Sequence, residues 1–369
     1  MSTEIANYSP FVKTKRGEAR ALKELDGRIK RAIIPMFDVL ALNRGVVAEA
    51  DVEKHLEKQV RMINLAWLEQ GPCYVDLFDV HPNARAMNGV HPLEFVGALL
   101  GKSRIPFIPV AGLGRDVNYL VALRSLIANG SSAIAVRLEV EDLLLPVGLD
   151  SKIQKLLGQI GAEQLTLHIL IDCRSLVGQD ADKLKNVIMA ALPALRLLKP
   201  SRLVLSASSM VADANGFKRN SVNRIRRDDL SLWLGVCHAG FTDVCFGDYG
   251  VIHPDYVDLD PRVIKPSAKI RYTTSSEWIF VKGFQWVKDT SQHHGLSVEL
   301  SQCREFRGAD SWGGDYIESA AAGRAKYGTL ETWVTVDQNA HITLTSRQVE
   351  RILFAARQTT ISSPKVAAE

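Results

Sequence analysis

Along roughly the first 250 residues, short apolar runs alternate with helical patterns, and this alternation is the strongest constraint on the fold. The apolar runs are Tyr8–Lys15, Ile33–Val39, Cys73–Val80, Ile105–Val110, Ala133–Leu138, Leu165–Val177, Leu203–Leu205 and Asp243–Asp248. Such runs, bounded by polar segments, read as strands buried on both faces. Between them the spacing predicts helices over Arg16–Leu25, Ala50–Gln70, Pro92–Leu100, Asp116–Ala128, Ser151–Ile160, 180–199 and Arg226–His238. In the second of these, Leu56, Val60, Ile63 and Trp67 fall on one face. Eight β/α units in roughly 250 residues predict an α/β chain folded as a (β/α)8 TIM-type barrel. The rival is an open doubly wound sheet, but no G-x-G-x-x-G follows the first strand.

After Tyr256 the rhythm stops. Lys269–Val281 has a strand pattern, GADSWGGDYI reads as a Gly-rich loop and Ile317–Ala325 as a helix. TLETWVTV then reads as a strand and Gln348–Ala356 as a closing helix. The expected organisation is a barrel over 8–256, an α/β extension over 257–358 capping one mouth, and a flexible tail over 359–369.

Composition narrows the function. The net charge of +4 is spread along the chain, so nucleic acid is not an expected partner. The five cysteines are odd in number and form no CxxC pair, which suits reduced thiols. The N-terminus MSTEIANYSPFVKTKRGEAR has no apolar signal core, and no long apolar window predicts a membrane span. A soluble, cytoplasmic protein is expected.

In a β/α barrel the C-terminal strand ends surround one mouth, where sites are built. Those ends carry Lys13, Lys15, Asp38, Asp76, Asp79, Arg137, Asp172, Arg174, Ser206, Ser208 and Asp248. Asp38, Asp76, Asp172 and Asp248 are candidates to hold Mg²⁺ or Mn²⁺ or to share acid and base roles. Lys13, Lys15 and Arg137 suit a phosphate or carboxylate. His253, in the loop after the last strand, is a candidate proton carrier. The same charges could instead neutralise one another as buried ion pairs. Lys218, Arg219, Arg224, Arg226 and Arg227 form the strongest basic patch, and Trp278 and Trp312 could wall a pocket or a partner surface.

YSPFVKTKRGE, FGDYGVIHPDY, KIRYTTSSEWIFVKG, SWGGDYI and ETWVTVDQNAHIT resemble, in order and spacing, the "beta protein" family of temperate phages, phage satellites and mobile islands. The resemblance spans about residues 8 to 355. It implies a component of a phage-exclusion or toxin-control cassette, encoded beside a killer protein and a small regulator; it implies no particular enzymatic activity. It adds Gly17, Glu18, Tyr249, Arg271, Tyr272, Gly314, Asp315, Asn339 and His341 to the polar positions of interest. The expected function is binding, with or without hydrolysis, of a phosphorylated or nucleotide-like ligand at the mouth, with Ser206, Tyr249, Arg271 and Tyr272 among the ligand contacts. The alternative is a non-enzymatic protein that neutralises or scaffolds a partner encoded alongside it.

Overall fold

A computed structural model describes residues 6–42, 48–255 and 266–362. Its strands are β1 Tyr8–Lys13, β2 Met36–Asp38, β3 Cys73–Asp76, β4 Phe107–Gly112, β5 Ala133–Glu139, β6 Thr166–Ser175, β7 Arg202–Ser208, β8 Val222–Arg226, β9 Val244–Asp248, β10 Ser267–Thr273 and β11 Glu277–Gln285. β1 to β7 and β9 close in sequence order into a parallel barrel, with β9 pairing back to β1 through Tyr8 opposite Phe246 and Pro10 opposite Asp248. The fold is the (β/α)8 barrel that the alternation predicts.

Strand alternation sorts the side chains. Phe11, Met36, Tyr74, Val110, Ala135, Leu170, Val204 and Cys245 point inward and fill the barrel. Their neighbours, such as Val12, Phe37, Val75, Ile169, Leu205 and Phe246, point outward under the helices. The helices meet that layer with their apolar stripes; Glu49–Trp67 buries Val52, Leu56, Val60, Ile63 and Trp67. Their starts are marked by caps: Asp116 Oδ1 accepts from the Asn118 and Tyr119 amides at 2.9 and 3.2 Å.

The eighth strand is not followed directly by its helix. β8, β10 and β11 form a separate antiparallel sheet in the order β10-β11-β8. One face packs Ile270, Tyr272, Ile279 and Val281 against Leu296, Leu300, Ile317 and Trp333 from the helices that follow. The other packs Trp278 and Phe280 against Met210 and Val251, in the loops that leave the ends of β7 and β9. The chain then returns as one helix, Leu330–Ser362. This helix lies beside the first barrel helix, Arg16–Lys23, and against β1, and its Ile342, Val349 and Leu353 join the barrel's outer core. It occupies the place of the eighth barrel helix.

Several expectations change accordingly. TLETWVTV is helical, and Gln348–Ala356 continues the same helix. Its β-branched residues gave it a strand pattern, but tertiary packing against the barrel overrides that weak preference. β8 was missed because it carries a basic, alternating sequence with three of its five residues exposed. The expected boundary at 256 lies outside the described residues, and the long helix is shared, with Trp333 and Val336 in the core of the extension and Ile342, Val349 and Leu353 in that of the barrel. The backbone is helical to Ser362, four residues into the expected tail; 363–369 lie outside the described residues. Among the described residues no helix is long and apolar enough to cross a membrane.

Candidate functional site

Arg137, inward-facing near the end of β5, organises the mouth. Its Nη1 donates to Asp38 Oδ1 at 2.9 Å and to Asp76 Oδ2 at 2.7 Å. Its Nε and Nη2 donate to Asp172 Oδ2 at 3.0 and 2.5 Å, and Nη2 also reaches Tyr249 Oη at 2.9 Å. Tyr249 Oη in turn donates to Asp172 Oδ2 at 2.6 Å. Asp38, Asp76, Asp172, Arg137 and Tyr249 are all buried. Burial opposes the charge on Arg137, but Tyr249 and the three carboxylates hold its pKa well above the ordinary value.

A second ring of charge surrounds this hub. Arg115, in the loop after β4, donates from Nη2 to both oxygens of Asp76 at 2.6 and 2.8 Å. Lys13 Nζ lies 3.0 Å from Asp79 and 3.9 Å from Asp38. The Arg174 amide donates to Asp172 Oδ1 at 2.9 Å, and its side chain turns to the rim, where Nη2 meets Asp255 at 2.7 Å. The left-handed backbone at Arg174, with φ of 50°, makes that turn where the register of β6 and β7 shifts. The guanidinium groups of Arg115, Arg137 and Arg174 lie 5.1, 4.5 and 5.1 Å from the centre of the Phe78 ring.

Over this floor opens a cavity of about 310 Å³, lined by Leu77, Phe78, His91, Arg115, Tyr119, Arg137, Glu139 and Asp142 among others. Burial raises the pKa of Glu139 despite Arg137 nearby, and lowers that of His91. Glu139 and Asp142 form a reciprocal capping box at the start of the next helix.

The residues expected at the mouth divide into three groups. Lys13, Asp38, Asp76, Arg137, Asp172 and Tyr249 are brought together there. Ser206 is also inward-facing and buried, with an Oγ that has no protein partner. His253 is on the rim, near Lys13 and Arg174 and 3.7 Å from Asp255; burial lowers its pKa. Lys15 is exposed just beyond β1.

Asp248 is elsewhere. It points outward from β9, opposite in parity to Tyr249, into the seam between the barrel and the long C-terminal helix. His341 Nε2 lies 2.9 Å from its Oδ2, and Tyr8 Oη donates to its Oδ1 at 2.8 Å. His341 Nδ1 lies 2.9 Å from Thr273 Oγ1, and its ring stacks on Trp278 at 4.7 Å. Arg227 completes the seam, 3.9 Å from Asp248 and bonded to Thr345 Oγ1 at 3.2 Å. Every one of these groups is buried, so the seam is a joint rather than a pocket.

Arg271 and Tyr272 also belong to the joint. Arg271 bonds Asp337 Oδ2 at 3.0 Å and the Val251 carbonyl at 2.9 Å, and Tyr272 Oη accepts from the Arg307 amide at 3.0 Å. The family-like positions Gly17 and Asn339 do the same work. A Cβ on Gly17 would lie 3.1 Å from the Glu331 carbonyl of the long helix, and Asn339 bonds the Gly313 amide at 2.9 Å and the Ala21 carbonyl at 3.0 Å. Trp278 and Arg227, read as parts of a partner surface, are buried in the seam, while Arg224 and Arg226 are surface groups paired with acids.

The metal reading does not fit these residues. Asp248 is outside the mouth, and the other three carboxylates converge on the Arg137 guanidinium. Among the described residues no group of three or more His, Cys, Asp or Glu side chains could hold a metal ion. The sequence reading missed Arg115, Phe78, Tyr119 and Glu139. The Gly-containing loop AGLGR was the visible signal for Arg115, because it follows a barrel strand at the mouth.

A family model described as Beta protein matches residues 8–347. No curated protein matches the chain. Among solved structures the chain is similar to "PhdJ bound to substrate intermediate", with 10% identity and a TM-score of 0.33 over 94% of this chain and 97% of that one.

Proposed function

The chain belongs to the Beta protein family, and on that premise we propose that it is a ligand-sensing component of a phage-exclusion cassette whose barrel mouth binds a phosphorylated, nucleotide-like molecule. One observation carries the reading. Arg115 lines the mouth cavity and spends only Nη2 on Asp76; among the described residues Nε and Nη1 bond no protein group. An Arg anchored at one edge and open at the other is prepared for two-pronged contact with phosphate. The adjoining Phe78 ring, which gathers the Arg115, Arg137 and Arg174 guanidinium groups around it, gives the cavity an apolar wall beside that contact.

The reading is binding rather than turnover. Asp38, Asp76 and Asp172 are already held by guanidinium groups, so none is free to steer a metal-bound water or carry a proton. The test is mass spectrometry of small molecules released from protein purified from cells, for wild type and Arg115→Met. A nucleotide or phosphate ester released by wild type and missing from the variant is the expected result. An empty wild type, or the same molecule released by both, overturns it.

A further inference from the structure

Arg202 opens β7 at the other end of the barrel. Its side chain follows the inward parity of Val204 and is buried. Nη2 donates to Ser9 Oγ at 3.1 Å, the Tyr74 hydroxyl is a second polar neighbour of the guanidinium, and Nε has no partner. Among the described residues no carboxylate lies within ion-pair distance of it. Beside it, His168 Nδ1 meets Tyr74 Oη at 2.8 Å. Burial, reinforced by Arg202, holds the His168 pKa down at about 4, so the imidazole is neutral at physiological pH and adds no second positive charge beside the guanidinium.

A cleft of about 990 Å³ opens onto Arg202 and His168. Its walls bring Lys30, Arg31, Arg196 and Lys199 to the same opening, against the single carboxylate Asp243, which is paired with Arg196. Basic side chains at helix ends ordinarily answer the helix dipole, and that accounts for Lys30, Arg31 and Arg196. It does not account for Arg202, which is on a strand, inside the wall. A buried charge left without a counter-ion is costly, and natural cores pair or remove such groups.

We propose that this N-terminal floor, centred on Arg202, is a second binding site, which takes a small phosphate-bearing anion. The anion would complete the guanidinium where the protein supplies only the uncharged hydroxyls of Ser9 and Tyr74, and the rim lysines would draw it in. The site lies across the barrel from the mouth, so it stands or falls independently of the ligand proposed there.

The test uses the full chain, inorganic pyrophosphate as probe and calorimetric titration at low salt, with Arg115→Met built alike into the otherwise wild-type chain and into every variant, so that the mouth guanidinium does not take up the probe. Wild type is expected to bind, and Arg202→Met to weaken binding about tenfold or more, the loss of one charge-assisted anchor. Lys199→Gln, at an exposed position that does not threaten folding, should weaken it about twofold. Without pyrophosphate, Arg202→Met should melt at or above the wild-type temperature, since it removes an unpaired buried charge. Three results overturn the proposal: no binding by wild type, undiminished binding by Arg202→Met, or a lowered melting temperature of that variant without anion, which would make Arg202 a structural group.

Discussion

Arg137 and Arg202 are buried guanidinium groups inside the same barrel, one near each end, and their surroundings are opposite. Arg137 meets Asp38, Asp76 and Asp172 within 3.0 Å. Arg202 meets the hydroxyls of Ser9 and Tyr74 and no carboxylate among the described residues. The first arrangement binds four barrel strands together through charge; the second leaves a charge for something else to answer. In a buried site, the number of counter-charges decides whether a cation is an element of the fold or an element of a site.

The widest separation between the two ends should come from the same substitution made at each. Arg137→Met leaves three carboxylates buried around an uncharged side chain, which should cost about 3–5 kcal/mol in denaturant unfolding. Arg202→Met should cost nothing measurable in the same assay. Equal losses at the two positions would erase the distinction.

Much of this architecture was legible in the sequence, and its limits are instructive. The strand runs placed Arg137, Asp38, Asp76 and Asp172 at one end of one barrel because alternation and strand order suffice for that. The same rule, applied one residue further, separates Asp248 from Tyr249: adjacent residues on a strand face opposite ways. Asp248 was read as a mouth residue because a strand end was taken without its parity. The long helix was illegible for a different reason. Its place beside β1 is reserved by the barrel's geometry, but an inserted sheet and its helices separate it from β9, so the repeat rhythm gave no cue. Arg202 was invisible because its importance is the absence of a partner, which only closure of the barrel reveals.

The two ends should also respond to pH in opposite directions. His168, at the floor, titrates near 4 in the folded chain against about 6.5 unfolded. The folded state resists protonation, so stability is full above the unfolded value and falls as pH drops through that window, by about 3 kcal/mol. Glu18, beside Lys13 at the mouth end, is buried with Oε1 unpartnered, and burial raises its pKa to about 7 despite the two lysines nearby. Here the folded state keeps its proton longer than the unfolded one. Stability is therefore full below the unfolded value and falls as pH rises toward 7, by a comparable amount. Thermal melts across pH 4 to 8 should show His168→Asn flattening the acid limb and Glu18→Gln flattening the neutral one. A variant that flattens the other's limb would reverse the assignment.

The seam offers a smaller effect between these extremes. Burial would raise the pKa of Asp248, but His341, Arg227 and Tyr8 hold it below the ordinary carboxylate value. Its contribution is thus present above the unfolded carboxylate range and lost as pH falls through the depressed value. Asp248→Asn should cost about 2 kcal/mol at neutral pH, with the difference from wild type shrinking in acid. Anion binding at either mouth should be untouched, because no seam group lines either cavity. Lost binding in this variant would tie the joint to a site.

The smallest effect tests whether the mouth depends on charge balance or on hydrogen bonds. Asp38 accepts one bond from Arg137 and has Lys13 only at 3.9 Å, whereas Asp76 accepts from both Arg115 and Arg137. Asn at position 38 keeps an oxygen for Arg137 and removes one negative charge. If charge balance dominates, Asp76 and Asp172 still answer Arg137, and Asp79 still answers Lys13, so Asp38→Asn should cost about 1 kcal/mol. Asp76→Asn, which weakens the hold on two guanidinium groups at once, should cost more. A reversed ranking in matched unfolding curves would mean that Lys13, rather than Arg137, sets the mouth's need for negative charge, and that Asp38 is its true counter-ion.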